Sequence, residues 1–392
     1  MAREPHDPTS DEYYTKYESI QEELNYYYEA NPDVFRDKTI LCPCDDPDWS
    51  NFTKFFASSN FTYYGLKALI CTSYAHGQHE VTEETKASPQ YDEKMEKSHG
   101  KLYILTREMI QNGDTPETIP WRYLEGDGDY ASEEVTKLCE SADIIITNPP
   151  FSQFVSREDD KPSFIKWCIE NGKKFIIIGD LRKSYKSDMF PYILNNQCWV
   201  GATTVKSFNT ANNTEKKFGN ITWYTNIEHS KRIHPMENLR RMSENVTGNN
   251  RPFLKEMIKV WKNLKSVPKD NDLTPEEWQK SKEWLSNHGY FKYLNLDAID
   301  VPILGALPSD YSGLMGLPPS ALVAGISPKQ FEIVGIGSGD LGKKIGVKKN
   351  YRGRTDISYM TEVGPKCPFA RIFIRYTEEW KTSHPDLFGK EN

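Results

Sequence analysis

The sequence predicts an α/β fold built on a mainly parallel sheet, followed by a second, less regular domain. Three observations carry this. Short apolar runs alternate with helical stretches over residues 38–227, as strands and crossover helices do. The last two runs, 198–208 and 219–227, follow each other with only a loop between them, which predicts a closing antiparallel hairpin. Beyond residue 228 the character changes, first to charged helical patterns over 229–290 and then to a segment rich in Gly and Pro over 300–345. The expected division is 1–228 and 229–392, and 392 residues, 37% of them apolar, suffice for two cores.

In chain order, DEYYTKYESIQEELNYYYEA (11–30) places aromatic and aliphatic residues on one helical face, and Asn31-Pro32 ends it. Seven runs then read as strands: KTILCPC (38–44), TYYGLKALICTS (62–73), WRYLEGD (121–127), ADIIITN (142–148), KKFIIIGD (173–180), CWVGATTVKSF (198–208) and GNITWYTNI (219–227). Helices are expected at 50–58, 131–141 and 161–172, and in the second domain within HPMENLRRMSENV, RPFLKEMIKVWKNLK and TPEEWQKSKEWLSNHG.

No apolar run approaches the roughly 20 residues that span a bilayer, and no apolar segment follows Arg3, so a cytoplasmic protein is expected. The seven cysteines sit mostly within apolar runs, as reduced core thiols do, and Cys42-Pro43-Cys44 lacks a second Cys or His pair to complete a metal site. The net charge of −7 excludes a generally basic coat. Locally, however, KKIGVKKNYRGR (343–354) carries Lys343, Lys344, Lys348, Lys349, Arg352 and Arg354 without an acid, and Arg182, Lys183 and Lys186 follow the fifth run. Either these cations meet a phosphate backbone or they are solvated loops.

Two strand ends could hold a nucleotide-like cofactor. QFEIVGIGSGDLGKK (330–344) nears a P-loop, but Lys344 stands where a magnesium-binding hydroxyl is required. As the glycine turn of a circularly permuted methyltransferase it lacks a packable helix and strand, because KKIGVKKNYRGRTD follows. ILCPCDDPDWSNF instead places Pro43, Asp45 and Asp46 where the first strand leaves the sheet. Acids there would accept from ribose hydroxyls or an ammonium group and repel phosphate, so S-adenosylmethionine is the consistent cofactor. Asp127 in the GDGD turn could accept from an adenine amino group, or serve as an N-cap or Asx turn.

ADIIITNPPF (142–151) runs a buried strand into Asn148-Pro149-Pro150-Phe151. Proline fixes φ and holds the preceding residue extended, so this exit is stiff. If Asn148 Oδ1 and the Pro149 carbonyl accept the hydrogens of a conjugated amino group, its lone pair turns towards a methyl donor, while Phe151 stacks on the base.

With these residues in view, the chain resembles the adenine-N6 DNA methyltransferases of the EcoRI type. ILCPCDDPDWSNFTKFF, ADIIITNPPF, NITWYTNI, YLNLDAIDVP, DYSGLMGLPPS and QFEIVGI carry the likeness over about residues 35–376. The resemblance implies a Rossmann-like mixed sheet of seven strands with a C-terminal target-recognition region. It also implies catalytic roles for Asn148, Pro149, Pro150 and Phe151, S-adenosylmethionine contacts at Pro43, Cys44, Asp45, Asp46 and Asp127, and double-stranded DNA as partner, with no obligatory protein partner. Since Cys71-Thr72-Ser73 supplies no carboxylate for the ribose, Asp45 or Asp46 would take that task. An RNA or protein-glutamine methyltransferase using the same NPPF chemistry, or an inactive DNA-binding relative, are the rival readings.

Overall fold

The computed structural model describes residues 14–75, 81, 83–156, 160–209, 215–246, 283, 287–361 and 364–388. They fall into two units. One runs up to Ser184 and resumes over Asn195–Ser230; the other comprises Tyr185–Leu194 and the chain from Lys231 onward.

The first unit holds one sheet. Its strands are β1 (Tyr14–Thr15), β2 (Thr39–Cys42), β3 (Ala68–Thr72), β4 (Lys101–Thr106), β5 (Arg122–Tyr123), β6 (Ile144–Thr147), β7 (Lys174–Asp180), β8 (Trp199–Asn209) and β9 (Glu215–Thr225). Their order is β1-β8-β9-β7-β6-β2-β3-β4-β5. The parallel part is β7-β6-β2-β3, and every other pairing is antiparallel. β2, β3 and β6 are buried at every position, which is what strands covered on both faces require of their Ile, Leu, Cys and Ala side chains.

Seven strands are therefore nine in the structure. The closing hairpin is present, with β9 lying between β8 and β7. WRYLEGD contributes only the two-residue edge strand β5, and the third long strand is KLYILT, β4, antiparallel to β3. A run that opens on Lys101 reads as a surface segment, yet this lysine side chain is only 4% exposed because three carboxylates surround it.

The helix Tyr17–Ala30 buries Ile20, Glu23, Leu24 and Tyr27, the one-face spacing of a helix lying on a sheet. Glu23 is completely buried. Its carboxylate accepts from Tyr27 OH (2.9 Å), the N–H groups of Ala202 (2.9 Å) and Thr203 (2.8 Å), and Thr203 Oγ1 (2.7 Å). The pairing of β8 with β9 shifts register between Val200 and Thr204, which turns those two amides towards the helix. Gly201 permits the approach, since a Cβ there would lie 2.3 Å from Glu23 Oε1. The helix Asn51–Phe56 is capped by Ser50 and sinks Phe52, Phe55 and Phe56 into the core. Each such ring contributes about 2–3 kcal/mol of apolar burial.

In the second unit a five-stranded sheet has the order β10-β11-β12-β16-β13, formed by β10 (Phe291–Lys292), β11 (Ala298–Asp300), β12 (Leu314–Leu317), β13 (Phe331–Ile336) and β16 (Ile372–Tyr376). β14 (Tyr359–Thr361) and β15 (Gly364–Lys366) pair separately. Phe291, Tyr293, Ala298, Val347, Ile357, Tyr359 and Phe373 form its core. Of the helices expected over 229–290, HPMENLRRMSENV is helical only at Met242–Val246, with a short helix Ser230–Ile233 before it, whereas RPFLKEMIKVWKNLK and most of TPEEWQKSKEWLSNHG lie outside the described residues.

Burial pushes the Glu23 carboxyl up to about 7, against the pull of its hydrogen bonds. The folded protein then holds a proton that the unfolded chain has released, so Glu23 contributes stability below its ordinary pKa that is lost as pH rises through about 7. Urea unfolding should accordingly show stability falling between pH 5 and 7.5 by up to an order of 3 kcal/mol from this group. Glu23→Gln should be less stable at pH 5 and show a shallower pH slope; an unchanged slope would refute the assignment.

Candidate active site

β2 runs parallel to both β3 and β6, so the three strands release their chains at one edge of the sheet. Of the residues nominated from sequence in the first unit, those of the CPCDD exit and Asp127 bond to the chain leaving β3, and Asn148 follows the end of β6. The Asp45 N–H donates to Thr72 O (2.8 Å), Thr72 Oγ1 donates to Pro43 O (3.1 Å), and the Ala75 N–H donates to Asp127 O (2.7 Å). β2, β3 and the GDGD turn are thus joined backbone to backbone. Gly100 and Gly128 allow the closure, because a Cβ on either would lie 2.2 or 2.0 Å from Ser73 O, and Gly128 also takes φ +80°.

Asp45 is 4% exposed and holds the strand exits together. Its Oδ1 accepts from Ser50 Oγ (2.7 Å), the cap of the following helix, and its Oδ2 accepts from Thr147 Oγ1, the last residue of β6. Burial raises this carboxyl to about 7, with the two hydroxyls drawing it down. Cys44 lies beside it, half-buried, and burial keeps its thiol well above the usual range, so it stays a neutral thiol.

Asp46 accepts from the Asp48 N–H (2.8 Å) and faces Lys101 Nζ at 3.3 Å. Lys101 also meets Asp48 (3.1 Å) and Glu96 (3.0 Å) and lies 4.9 Å from the Trp121 ring centre. Burial opposes the lysine charge, but the three carboxylates outweigh it and raise its pKa. Burial likewise lifts Asp46 to about 6, and Lys101 restrains that rise. Both acids proposed for the cofactor ribose therefore have internal partners. Sequence reasoning missed Lys101, Asp48 and Glu96; the available signals were the DDPD spacing and a lone lysine heading an apolar run.

Asp127 sits in an Asx turn, Oδ1 accepting from the Asp129 N–H (3.0 Å), while the N-cap of Glu133–Ser141 is Ser132. After β6, Asn148 and Pro150 are half-buried and Pro149 is buried. Pro150 adopts φ −57°, ψ 123°, and Phe151–Gln153 form one 3₁₀ turn closed by the Gln153 N–H on Pro150 O (3.0 Å). The half-buried Phe151 ring meets Phe208 of β8 edge-on, with centroids 6.3 Å apart.

Arg182 is ion-paired with Asp180 through Nε (2.8 Å), and Lys183 and Lys186 fall on either side of the unit boundary at Ser184. In the second unit Lys343 pairs with Asp340 at 2.6 Å, whereas Lys344, Lys348, Lys349, Arg352 and Arg354 are exposed. Their loop is firmly held. The buried Asn350 Oδ1 accepts from the N–H groups of Arg352 (2.8 Å) and Arg354 (3.2 Å), and Asn295 Nδ2 donates to the carbonyls of Lys348 and Asp356, both at 2.8 Å. Gly335 and Ile336 of GIGSG end β13, which pairs antiparallel with β16, and, against the sequence expectation, a short helix, Gly339–Lys344, follows; a Cβ on Gly337 would lie 2.8 Å from the Phe373 ring, so that glycine serves packing. Among the described residues there is no group of three or more His, Cys, Asp or Glu arranged for a metal, and no helix long and apolar enough to cross a membrane.

A model of the family described as adenine-specific methyltransferase EcoRI matches residues 3–270 and 240–377. The Type II methyltransferase M.EcoRI of Escherichia coli is 29% identical over 368 residues, 93% of each chain. M.MgeORF184P of Mycoplasma genitalium and M.MpnI of Mycoplasma pneumoniae, both Type II methyltransferases, are each 26% identical, covering 93% of this chain and 95% of theirs. No solved structure gives a significant match.

Lys101→Met would leave three carboxylates facing one another in a nearly dry site. Removing one partner from a buried ion pair costs about 3–5 kcal/mol. Without the lysine, Asp46 ionises less readily, so the loss of stability should be largest near pH 7.5 and shrink towards pH 5. Equal destabilisation at both pH values in urea titrations would show that the cluster does not set the charge of Asp46.

Proposed function

The chain belongs to the EcoRI family of adenine-specific methyltransferases, and from that premise we propose a site-specific DNA methyltransferase that transfers a methyl group from S-adenosylmethionine to the N6 amino group of an adenine turned out of duplex DNA. The observation that carries this reading is the bond from Thr147 Oγ1 to Asp45 Oδ2. It ties the residue preceding Asn148 to the acidic exit of β2, so a methyl acceptor held by one segment and a donor held by the other share one edge of the sheet.

The residues suit the cofactor. Asp46, Asp48 and Glu96 outnumber the single Lys101 among them, and such a field favours a cation over a phosphate. S-Adenosylmethionine supplies a methyl group on a positively charged sulfur and carries an ammonium group. Backbone groups of Pro43, Cys44, Asp45 and Asp46, with Asp127 across the edge, are assigned to hold it. Asp45 and Asp46, largely committed to internal partners, contribute charge and shape more than open acceptors.

Asn148 Oδ1 and the Pro149 carbonyl take the two hydrogens of the adenine amino group and turn its lone pair towards the methyl donor. Pro150 fixes the chain, and Phe151 offers its ring to the base, which must leave the duplex to reach the site. In the second unit, Lys344, Lys348, Lys349, Arg352 and Arg354 present charge to the DNA backbone from an ordered loop. Arg182 and Lys343, each with an acid partner, contribute less to that charge.

Three outcomes test the assignment. With labelled methyl donor and duplex DNA, RNA and protein side by side, methyl should pass to adenine in duplex DNA. Asn148→Ala should lower turnover at least 100-fold while cofactor affinity, measured by calorimetry, stays within a few fold. Retention of a tenth of wild-type turnover would remove Asn148 from the chemistry. Changing Lys348 and Lys349 together to Ala should weaken binding to any duplex and flatten the log–log salt dependence by about one to two units, leaving the methylated sequence unchanged. An unchanged slope would make this strip a solvated loop.

A further inference from the structure

Among the exposed large apolar side chains, Phe369 is the most open, at 69%. A phenyl ring kept in water forgoes about 2 kcal/mol of burial, so its position needs a cause. The cause is a clamp on its backbone. Arg371 donates through Nη1 to the carbonyls of Phe369 (3.0 Å) and Ala370 (3.4 Å), and through Nε to Asp300 Oδ1 (2.7 Å). Asp300 is 1% exposed and also accepts from Tyr293 OH. On the other side, Cys367 Sγ accepts from Asn350 Nδ2 at 3.2 Å, and Asn350 is the residue that shapes the basic loop. The ring is held out from both directions.

Its surroundings indicate what it meets. Tyr185 lies edge-on to Phe369 with centroids 5.8 Å apart, and Lys186 Nζ is 5.4 Å from the Tyr185 ring centre. Through Asn350 the same segment joins the loop bearing Lys348, Lys349, Arg352 and Arg354. An aromatic projection among lysines is a poor protein-docking patch, because lysine is depleted from the cores of such interfaces. It fits a nucleic acid, which offers phosphates to the cations and base faces to the ring.

We propose that Phe369 is a stacking residue that enters bound duplex DNA and packs on a base at an opened step, with Arg371 as its positioning residue. The proposal rests on the DNA-methyltransferase reading above. Apolar side chains inserted between base steps kink DNA and unstack it, and the cations beside Phe369 would hold the phosphates on either side of the opened step.

The test uses the full-length protein and a duplex that it methylates, with 2-aminopurine placed in turn at positions flanking the target adenine. Wild-type protein should raise the fluorescence of at least one flanking position, the sign of lost stacking. Phe369→Ala should abolish that rise and weaken binding about 10- to 100-fold with an unchanged salt slope, since no charge is removed. Its urea midpoint should match the wild type, and Phe369→Trp should restore both signals. Phe369→Ala with wild-type affinity and fluorescence overturns the proposal, as does a loss of affinity accompanied by a flatter salt slope, which would mean that the basic loop had moved. A wild-type protein that neither binds nor methylates duplex DNA overturns the underlying reading and this proposal with it.

Discussion

Three strand exits are held together by one residue. Asp45 takes a hydroxyl from the helix that follows β2 and another from the end of β6, while its own amide reaches the end of β3. A buried carboxylate left without partners would cost several kcal/mol; with two hydroxyls supplied, it becomes a joint that no apolar residue could replace. Burial outweighs the two hydrogen bonds and raises the carboxyl to about 7, so near neutrality Asp45 spends part of its time protonated. Asn148 follows Thr147 directly, so the start of the Asn-Pro-Pro segment is anchored by a bond to the exit of β2.

Much of this was legible in the sequence. The runs at 38–44, 142–148 and 173–180 are continuous apolar stretches that only doubly covered strands need, and they became β2, β6 and β7. Asn148-Pro149-Pro150 announced a stiff exit because proline chemistry is local. β4 was illegible for the opposite reason. Its first residue, Lys101, is buried only because Asp46, Asp48 and Glu96 converge on it from elsewhere in the chain, and pairing across such separations leaves no periodic mark. The passage of Tyr185–Leu194 into the second unit is equally invisible, since FPYIL reads the same whichever sheet its helix covers. Asp45 and Asp46 were picked out as site residues, but their inward partners could not be read, because a sequence shows that an acid is present and not which way it faces.

The two units manage charge by different devices. In the first, three acids, one buried and two half-buried, are gathered around one buried lysine, which leaves a net negative field beside the strand exits. In the second, cations are displayed, and neutral amides do the holding: Asn295 and Asn350 bind the loop backbone from beneath, so the lysine and arginine heads need no acid to order them. An acid partner would have ordered the loop at the expense of its field. A chain with net charge −7 can in this way carry a locally positive surface.

A related restraint on motion governs the segment around Asn148. Thr147 is fixed on one side of Asn148 by Asp45, and Phe151 is fixed on the other by Phe208 and by the turn that the Gln153 amide closes on Pro150. Between these anchors stand two prolines, each with φ already set, so few backbone rotations remain free. A methyl transfer needs donor, nitrogen and acceptors in line, and misplacement by an ångström is enough to cost a hundredfold. The pair of prolines is therefore intelligible as a splint between two tertiary anchors. With either anchor removed, the prolines would keep their own dihedrals but could no longer keep Asn148 in place.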